Sequence, residues 1–529
     1  MIDSTIIISI LCFMLLCSIS YCAIRYMHRG FYIVLIAVVI SIVLYVFIVP
    51  LNVFLKTLVY FKLPYILGNL FLFIHYPKEE DLPNVLQKYK VIIDTKGYRL
   101  KLGNIRRGIS IIGSAGSGKT ESVVYSLFEH LGTHDFCGVM HDYKNFEISE
   151  MAYPIFKKTN KDFYIVSFDP IYNKVNPIAP KYIPDEESVN EISRVLIENL
   201  LELKESGSTG ASKFFNDAVE GLIGGLIWRL KENYPEYCTI PHMIAIYQYL
   251  TTNELVEFLS ANVTSKAMAD AYIVGVDSDR QTAGVRSTLA NAFKKISTQK
   301  IFMVLSADEV PLNPNNPDSP SVISVVNNPK KETSLSPVIA TVIHSITKQM
   351  SERNRLPSFL LMEEAATLRL LNMHRIPATL RSYDIITIYV LQDKIQNDMM
   401  YGDKASKAIL SNLSYQFFGK ANDPDTAKYY ERFFEIIKKE TRSVSKGHSL
   451  NFDTRITQGE KEVAKRRADA FYGLKQGEFV VFFDGKDKKV TFRLAEIKRE
   501  LPEPLNFTEA EFKANFDKIH REAQSLFDS

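Results

Sequence analysis

An α/β fold with a mostly parallel central sheet, an inserted all-α domain and N-terminal transmembrane helices is predicted by three observations. Strand-like apolar runs alternate with helical periods on both sides of a stretch of about 115 residues in which strand signals nearly vanish. A glycine-rich segment closed by lysine and threonine sits between one such strand and one such helix. Two nearly unbroken apolar runs open the chain.

The glycine-rich segment is Gly113-Ser-Ala-Gly-Ser-Gly-Lys119-Thr120, preceded by Gly108-Ile-Ser-Ile-Ile112 and followed by a helical rhythm over 121–131. Glycines there let backbone N–H groups curl around an anion at a helix N-terminus. Gly113, Ser114, Ala115, Gly116, Ser117, Gly118, Lys119 and Thr120 are therefore the candidate phosphate cradle. Lys119 would reach the β- and γ-phosphates, and Thr120 would offer its hydroxyl to Mg²⁺. A plain Gly/Ser-rich turn is the alternative, and it leaves the closing lysine unexplained.

Residues 5–23 and 31–49 are each long enough to cross a hydrocarbon core about 30 Å thick at roughly 1.5 Å per helical residue. A cleaved signal peptide fits the first run poorly, because no basic region precedes it and a second run follows at once. Since ATP is cytosolic, the chain beyond about residue 76 belongs inside. Two spans would leave Arg25 and Arg29 outside, against the positive-inside tendency. Residues 57–76 form a third apolar stretch, interrupted by Lys62, Pro64 and Gly68. It either crosses as well, which puts the arginines inside, or lies in the interface with Lys62 snorkelling.

About 450 of the 529 residues follow the membrane region, enough for two or three domains. Of the 5 cysteines, Cys12, Cys17 and Cys22 lie in the first apolar run, and Cys137 and Cys238 are isolated. That spacing indicates neither a zinc site nor a disulfide framework. A net charge of +3 is too small to argue for nucleic acid by itself.

The expected organisation is a membrane anchor at 1–76, a first part of the nucleotide-binding domain at 77–184, an all-α insertion at 185–300, the second part of the nucleotide-binding domain at 301–500, and a polar C-terminal tail at 501–529. Residues 91–102 read as a strand pair, and 136–142 and 163–168 as strands. Helical periods cover 189–203, 214–231, 241–259 and 285–296. The sheet resumes at 322–326.

Ser358-Phe-Leu-Leu-Met-Glu363-Glu364 is an apolar strand ending in two carboxylates, as the metal side of a phosphate-loop site requires. The first acid holds Mg²⁺, usually through its waters, and the second polarises the attacking water. Glu363 stands where Asp is usual. An acidic helix start is the alternative. The strand 385–391 presents Gln392 at its C-terminal edge, where ligands gather in parallel sheets. Gln392 is a candidate sensor of water and γ-phosphate, the alternative being a helix cap.

In order, the membrane spans, Gly113–Thr120, Asp142-Tyr-Lys144, Asn176-Pro177, the helical insertion, Leu360-Leu-Met-Glu-Glu364 and Leu391-Gln392 resemble the type IV secretion coupling proteins. These are the TraG/TraD-like conjugation ATPases, relatives of the FtsK and HerA DNA pumps. Gln281–Thr288, Tyr401-Gly402 and Leu410-Ser-Asn412 add to the likeness, which spans about 5–483. The chain departs from the pattern at Glu363 and at Ala468-Asp-Ala-Phe471, where a Pro-Leu pair is common. The resemblance implies a RecA-like P-loop NTPase using ATP and Mg²⁺. It also implies a multi-pass protein of the bacterial inner membrane with a cytoplasmic ATPase domain, assembled as a homohexamer. Its partners would be a relaxase–DNA complex and the proteins of a type IV secretion channel, and its helical domain would recognise cargo. Ring assembly further implies an arginine donated across the interface. Arg381 is the candidate, with a structural arginine at a helix end as the equal alternative.

Lys438, Lys439, Arg442, Lys446, Arg455, Lys465, Arg466 and Arg467 form a basic, weakly structured stretch. It suits either a sequence-independent DNA path or a solvated loop. Two further functions stay open: a docking hub with ATP as an assembly switch, and a pump of the FtsK/HerA kind. Only about forty polar residues follow Val490, which disfavours the FtsK arrangement with its DNA-reading domain.

Overall fold

The computed structural model describes residues 87–202, 210–434, 436–446, 454–493 and 496–528. The chain divides into two units, Met1–Gln87 and Lys88–Ser529, and the description below concerns the second. The expected membrane spans lie outside the described residues. Among the described residues no helix is long and apolar enough to cross a membrane.

β-branched and aromatic residues mark the strands. In chain order they are β1 (Val91–Asp94), β2 (Arg99–Leu102), β3 (Ile109–Ile112), β4 (Cys137–Asp142), β5 (Asp162–Val166), β6 (Ser321–Val326), β7 (Ser358–Met362), β8 (Ile385–Leu391), β9 (Tyr415–Phe418), β10 (Ile436–Lys446), β11 (Thr454–Ala464), β12 (Glu478–Phe483) and β13 (Lys486–Thr491). Nine of them make one sheet in the order β13-β12-β9-β3-β8-β7-β4-β6-β5. All pairs from β9 to β5 are parallel, and β12 and β13 add an antiparallel edge. β1 and β2 form the expected hairpin.

The central strands are buried on both faces, so they read as continuous apolar runs. Their side chains still alternate. Ile109, Ile111, Leu361, Ile388 and Val390 pack on the face that carries the helices Tyr125–Thr133 and Ser149–Phe156. Ile112, Leu360, Met362, Tyr389 and Leu391 join the opposite core. Gly138, in β4, faces the tightest strand approach: a Cβ there would meet the Phe359 carbonyl oxygen at 2.3 Å.

Among the described residues between β5 and β6 every regular element is helical, from Pro180–Tyr182 to Gln299–Leu305. This segment shares one continuous core with the sheet, because Leu196, Leu226 and Phe293 belong to the same cluster as Ile112 and Met362. Its helix Glu186–Leu200 packs on Glu332–Met350, which covers that face of the sheet. The period over 241–259 resolves into two helices, Ile240–Tyr249 and Thr252–Ser260. Thr251 starts the second with a capping box to Glu254, which satisfies orphan N–H groups at the break.

Two segments differ from the sequence reading. The stretch expected to be weakly structured forms a long hairpin, β10 paired antiparallel with β11, set apart from the main sheet. Thr, Ile and Val spaced through both strands favour that form. The polar tail contains the helix Glu509–Ser525, opened by a capping box between Thr508 and Glu511. Phe512, Ile519 and Ala523 are buried on one of its faces, and Phe516 packs on Phe302 at 4.8 Å between ring centroids. The His242 ring also reaches Glu522 at 3.2 Å. Apolar residues at i, i+4, i+7 and i+11 among charges are an amphipathic helix, which average polarity conceals.

Candidate active site

Parallel register brings the candidate residues to one edge of the sheet. Ile112 pairs with Leu391, Met362 with Tyr389, and His141 with Met362. The segments leaving β3, β8, β7 and β4 therefore emerge side by side, carrying Gly113, Gln392, Glu363 and Lys144.

The loop after β3 is shaped for an anion. Gly118 has left-handed backbone (φ 85°), which only glycine adopts at little cost. At Gly113 a Cβ would meet the Ser117 hydroxyl at 2.8 Å. The following helix begins with a π turn, Lys119–Val124, before the α-helix Tyr125–Thr133. Lys119 is buried, and its Nζ donates to the carbonyl oxygens of Gly113 and Ser114 within its own loop. Burial lowers its pKa below the ordinary lysine range, with Glu364 opposing. The hydroxyls of Ser114 and Ser117 are buried without a hydrogen-bond partner. Unpaired buried donors beside a lysine are what a phosphate would satisfy.

At the end of β7, Glu363 and Glu364 are both buried. Glu363 Oε2 accepts from the Tyr143 N–H at 3.1 Å. Its backbone carbonyl meets the His141 ring Nδ1 at 2.9 Å. Glu364 sits in the left-handed region (φ 45°, ψ 51°), strain of about 1–3 kcal/mol for a non-glycine residue and a common mark of functional sites. Gln392 Nε2 donates to Glu364 Oε1 at 3.0 Å. The expected glutamine and the expected base are thus in direct contact.

The electrostatics match a buried acidic pocket. Burial and the neighbouring Asp142 push the Glu363 carboxyl well above the usual carboxylate range. Burial also raises Asp142, against hydrogen bonds from Ser149, whose N–H donates to it at 2.8 Å. Burial holds His141 near a pKa of about 4, so its ring is neutral at physiological pH. Beside Glu364 opens a cavity of about 520 Å³ whose lining includes Glu198, Glu332, Arg369, Gln392 and Met399. Among the described residues no three His, Cys, Asp or Glu side chains converge to hold a metal by themselves. A Mg²⁺ at Thr120 and Glu363 would therefore lean on phosphate oxygens and its own waters.

Arg381 is exposed and precedes β8, at the edge of the sheet opposite the phosphate loop. The seven residues of β8 put it about 20 Å from the loop at roughly 3.3 Å per residue. The structure does not bring it to the site of its own subunit. Side chains over 436–463 lie outside the description, while Lys465 and Arg466 are tied to Asp487 and Arg467 to Asp469.

Two contributions escaped the sequence reading. Lys144, noted there only within the motif Asp142-Tyr-Lys144 and given no role, reaches Glu363 and Glu364, each at 3.2 Å. Tyr401 is buried and clamps the loop that follows Glu364: its hydroxyl donates to the Leu368 carbonyl at 2.9 Å and accepts from the Leu370 N–H at 3.1 Å. The Tyr401-Gly402 match was the signal for it, since a tyrosine before a glycine of positive φ closes a helix near the sheet edge.

The model of the type IV secretory system conjugative DNA transfer family matches residues 78–470. The chain belongs to that family. It is a coupling protein of conjugative DNA transfer and a P-loop ATPase, as the motif order implied. Among solved structures it is similar to the bacterial conjugative coupling protein TrwB in its unbound form, at 14% identity and a TM-score of 0.60, over 78% of this chain and 90% of that one. It is also similar to TrwB in complex with ADP and Mg²⁺, at 13% identity and a TM-score of 0.58, over 75% and 88% of the two chains. The complex of TrwB with a non-hydrolysable GTP analogue matches at 13% identity and a TM-score of 0.60, over 78% and 91%. At such identities the likeness shows the fold. No curated protein sequence matches the chain.

Proposed function

We propose that this coupling protein is a membrane-anchored ring ATPase that passes a relaxase–DNA complex to a type IV secretion channel. The observation that carries the reading is the convergence of the Lys119 loop, the Glu363–Glu364 pair and Gln392 at one sheet edge. Gly113 to Thr120 bind the phosphates of ATP, with Lys119 on the β- and γ-phosphates. Glu364 takes the proton of the attacking water, and Gln392, already bonded to it, orients that water. Thr120 and Glu363 would hold Mg²⁺, which would supply charge neutralisation for the phosphates. TrwB has been captured with ADP and Mg²⁺, which supports the same pairing here.

The N-terminal 76 residues form the anchor in the bacterial inner membrane, with two or three spans and the ATPase inside. Residues 77–184 and 301–500 make up the motor, and 185–300 the part that recognises cargo. One experiment addresses anchorage and function together. Inside-out membrane vesicles carrying the full chain should hydrolyse added ATP, retain the protein through a high-salt wash, and work several-fold faster with DNA. Release by salt would remove the anchor. A rate indifferent to DNA would favour a docking hub that uses ATP only as an assembly switch.

Hexamer formation gives Arg381 its only route to a nucleotide, that of a neighbour. Arg381→Ala should then impair hydrolysis and leave nucleotide affinity nearly intact, because the guanidinium meets charge that develops only during transfer. Mixing Arg381→Ala with Lys119→Ala subunits should restore part of the activity at interfaces that pair an intact loop with an intact arginine. No rescue in demonstrably mixed rings would mark Arg381 as structural.

A further inference from the structure

A second lysine stands at the acidic end of the site. Lys144 leaves the sheet two residues after β4, and its Nζ lies 3.2 Å from Glu363 Oε1, 3.2 Å from Glu364 Oε1 and 3.3 Å from Glu147 Oε2. Glu363 and Glu364 are only 1% and 3% exposed. Two carboxyl groups buried side by side raise the cost of each other's charge, and a cation in contact with both offsets it. Lys119 directs its hydrogen bonds to the Gly113 and Ser114 carbonyls of its own loop. Lys144 is in contact with both carboxylates. Glu364 Oε1 thereby accepts from Lys144 and Gln392 together.

The Lys144 side chain is 36% exposed, in contrast to the carboxylates it bridges. Glu147, on the more open side, gives the ammonium a second partner without leaving the neighbourhood. A compact charge on a flexible four-carbon stem moves between such partners at small cost.

We infer that Lys144 is a positioning residue that fills the divalent-cation seat beside Glu363 in the nucleotide-free protein and yields it, moving toward Glu147, when the metal–nucleotide arrives. The inference rests on Glu363 being the metal-side acid. An ammonium and a divalent ion compete for the same carboxylate oxygen, because their repulsion at that range forbids both. Metal loading then also frees Glu364 from Lys144, so the base is released only in a subunit that holds its nucleotide.

The test is Mn²⁺ binding to the purified full chain without nucleotide, read from the electron paramagnetic resonance signal of free Mn²⁺. Lys144→Met should bind Mn²⁺ at least five-fold more tightly than the native protein, roughly the effect of removing one competing charge from a buried site. Lys144→Arg keeps the cation and should bind as the native protein does. With ATP, the Mg²⁺ concentration for half-maximal single turnover should fall by a similar factor in Lys144→Met. Unchanged or weaker Mn²⁺ binding in a Lys144→Met protein of native melting temperature would overturn the inference. If that variant does not fold, Lys144→Gln carries the same comparison. Adding Glu363→Gln to Lys144→Met should abolish the gain. Persistence of the gain in the double variant would overturn Glu363 as the metal-side acid and, with it, the competition described here, whereas absence of any gain in the single variant overturns the role of Lys144 alone.

Discussion

Lys119→Ala should abolish ATP turnover, with a loss of at least about 10²–10³-fold, the scale set by removing one preorganised donor from a site where charge develops. The expectation follows from where the lysine is. Its ammonium is buried inside the loop that would wrap the phosphates, and burial already disfavours its charge. A phosphate replaces the Gly113 and Ser114 carbonyls as a far better partner for that charge, so the same contact tightens nucleotide binding and stabilises the transferring group. Alanine removes both effects. Phosphate release at saturating ATP, together with a binding titration, reads them separately. Turnover within tenfold of the native rate would take Lys119 out of the catalytic set.

Glu364→Gln should do the opposite to binding and nearly the same to turnover. The amide has the shape of the carboxylate and can still accept the bond from Gln392, so the loop geometry and ATP affinity should stay within a few-fold of native. It cannot take a proton, and general-base losses are typically about 10²–10⁴-fold. The protein should therefore trap ATP uncleaved, visible as radiolabelled ATP retained on the ring without product. If the variant hydrolyses ATP at near the native rate, the base lies elsewhere, and the left-handed strain at Glu364 has some other purpose.

Much of this arrangement was legible in the sequence. The phosphate loop declared itself because a strand, a glycine turn and a helix must follow one another for the chemistry to work, and Gly113 to Thr120 stand in that context. The carboxylate pair and Gln392 were legible because parallel strands deliver their C-terminal residues to one edge. What was not legible depends on side chains that only the fold brings together. Lys144 follows a short strand with no local sign that it would meet Glu363, over 200 residues away. The tail at 501–529 is polar on average, and its buried stripe appears only against Phe302 and its neighbours. The hairpin β10–β11 was hidden for a different reason, since charged residues interrupt its β-branched ones. Arg381 was placed by its nearness in sequence to Gln392, yet a strand separates the two along its whole length.

The helix Glu509–Ser525 has a consequence for how the molecule is made. It closes over Phe302 and the helix Ile240–Tyr249, so that groove stays open to water until the ribosome has synthesised the distant segment that fills it. About 200 residues of chain separate Phe302 from that helix, roughly 10–40 s of synthesis at bacterial to eukaryotic speeds. During that interval the nascent helical segment presents an uncovered aromatic face.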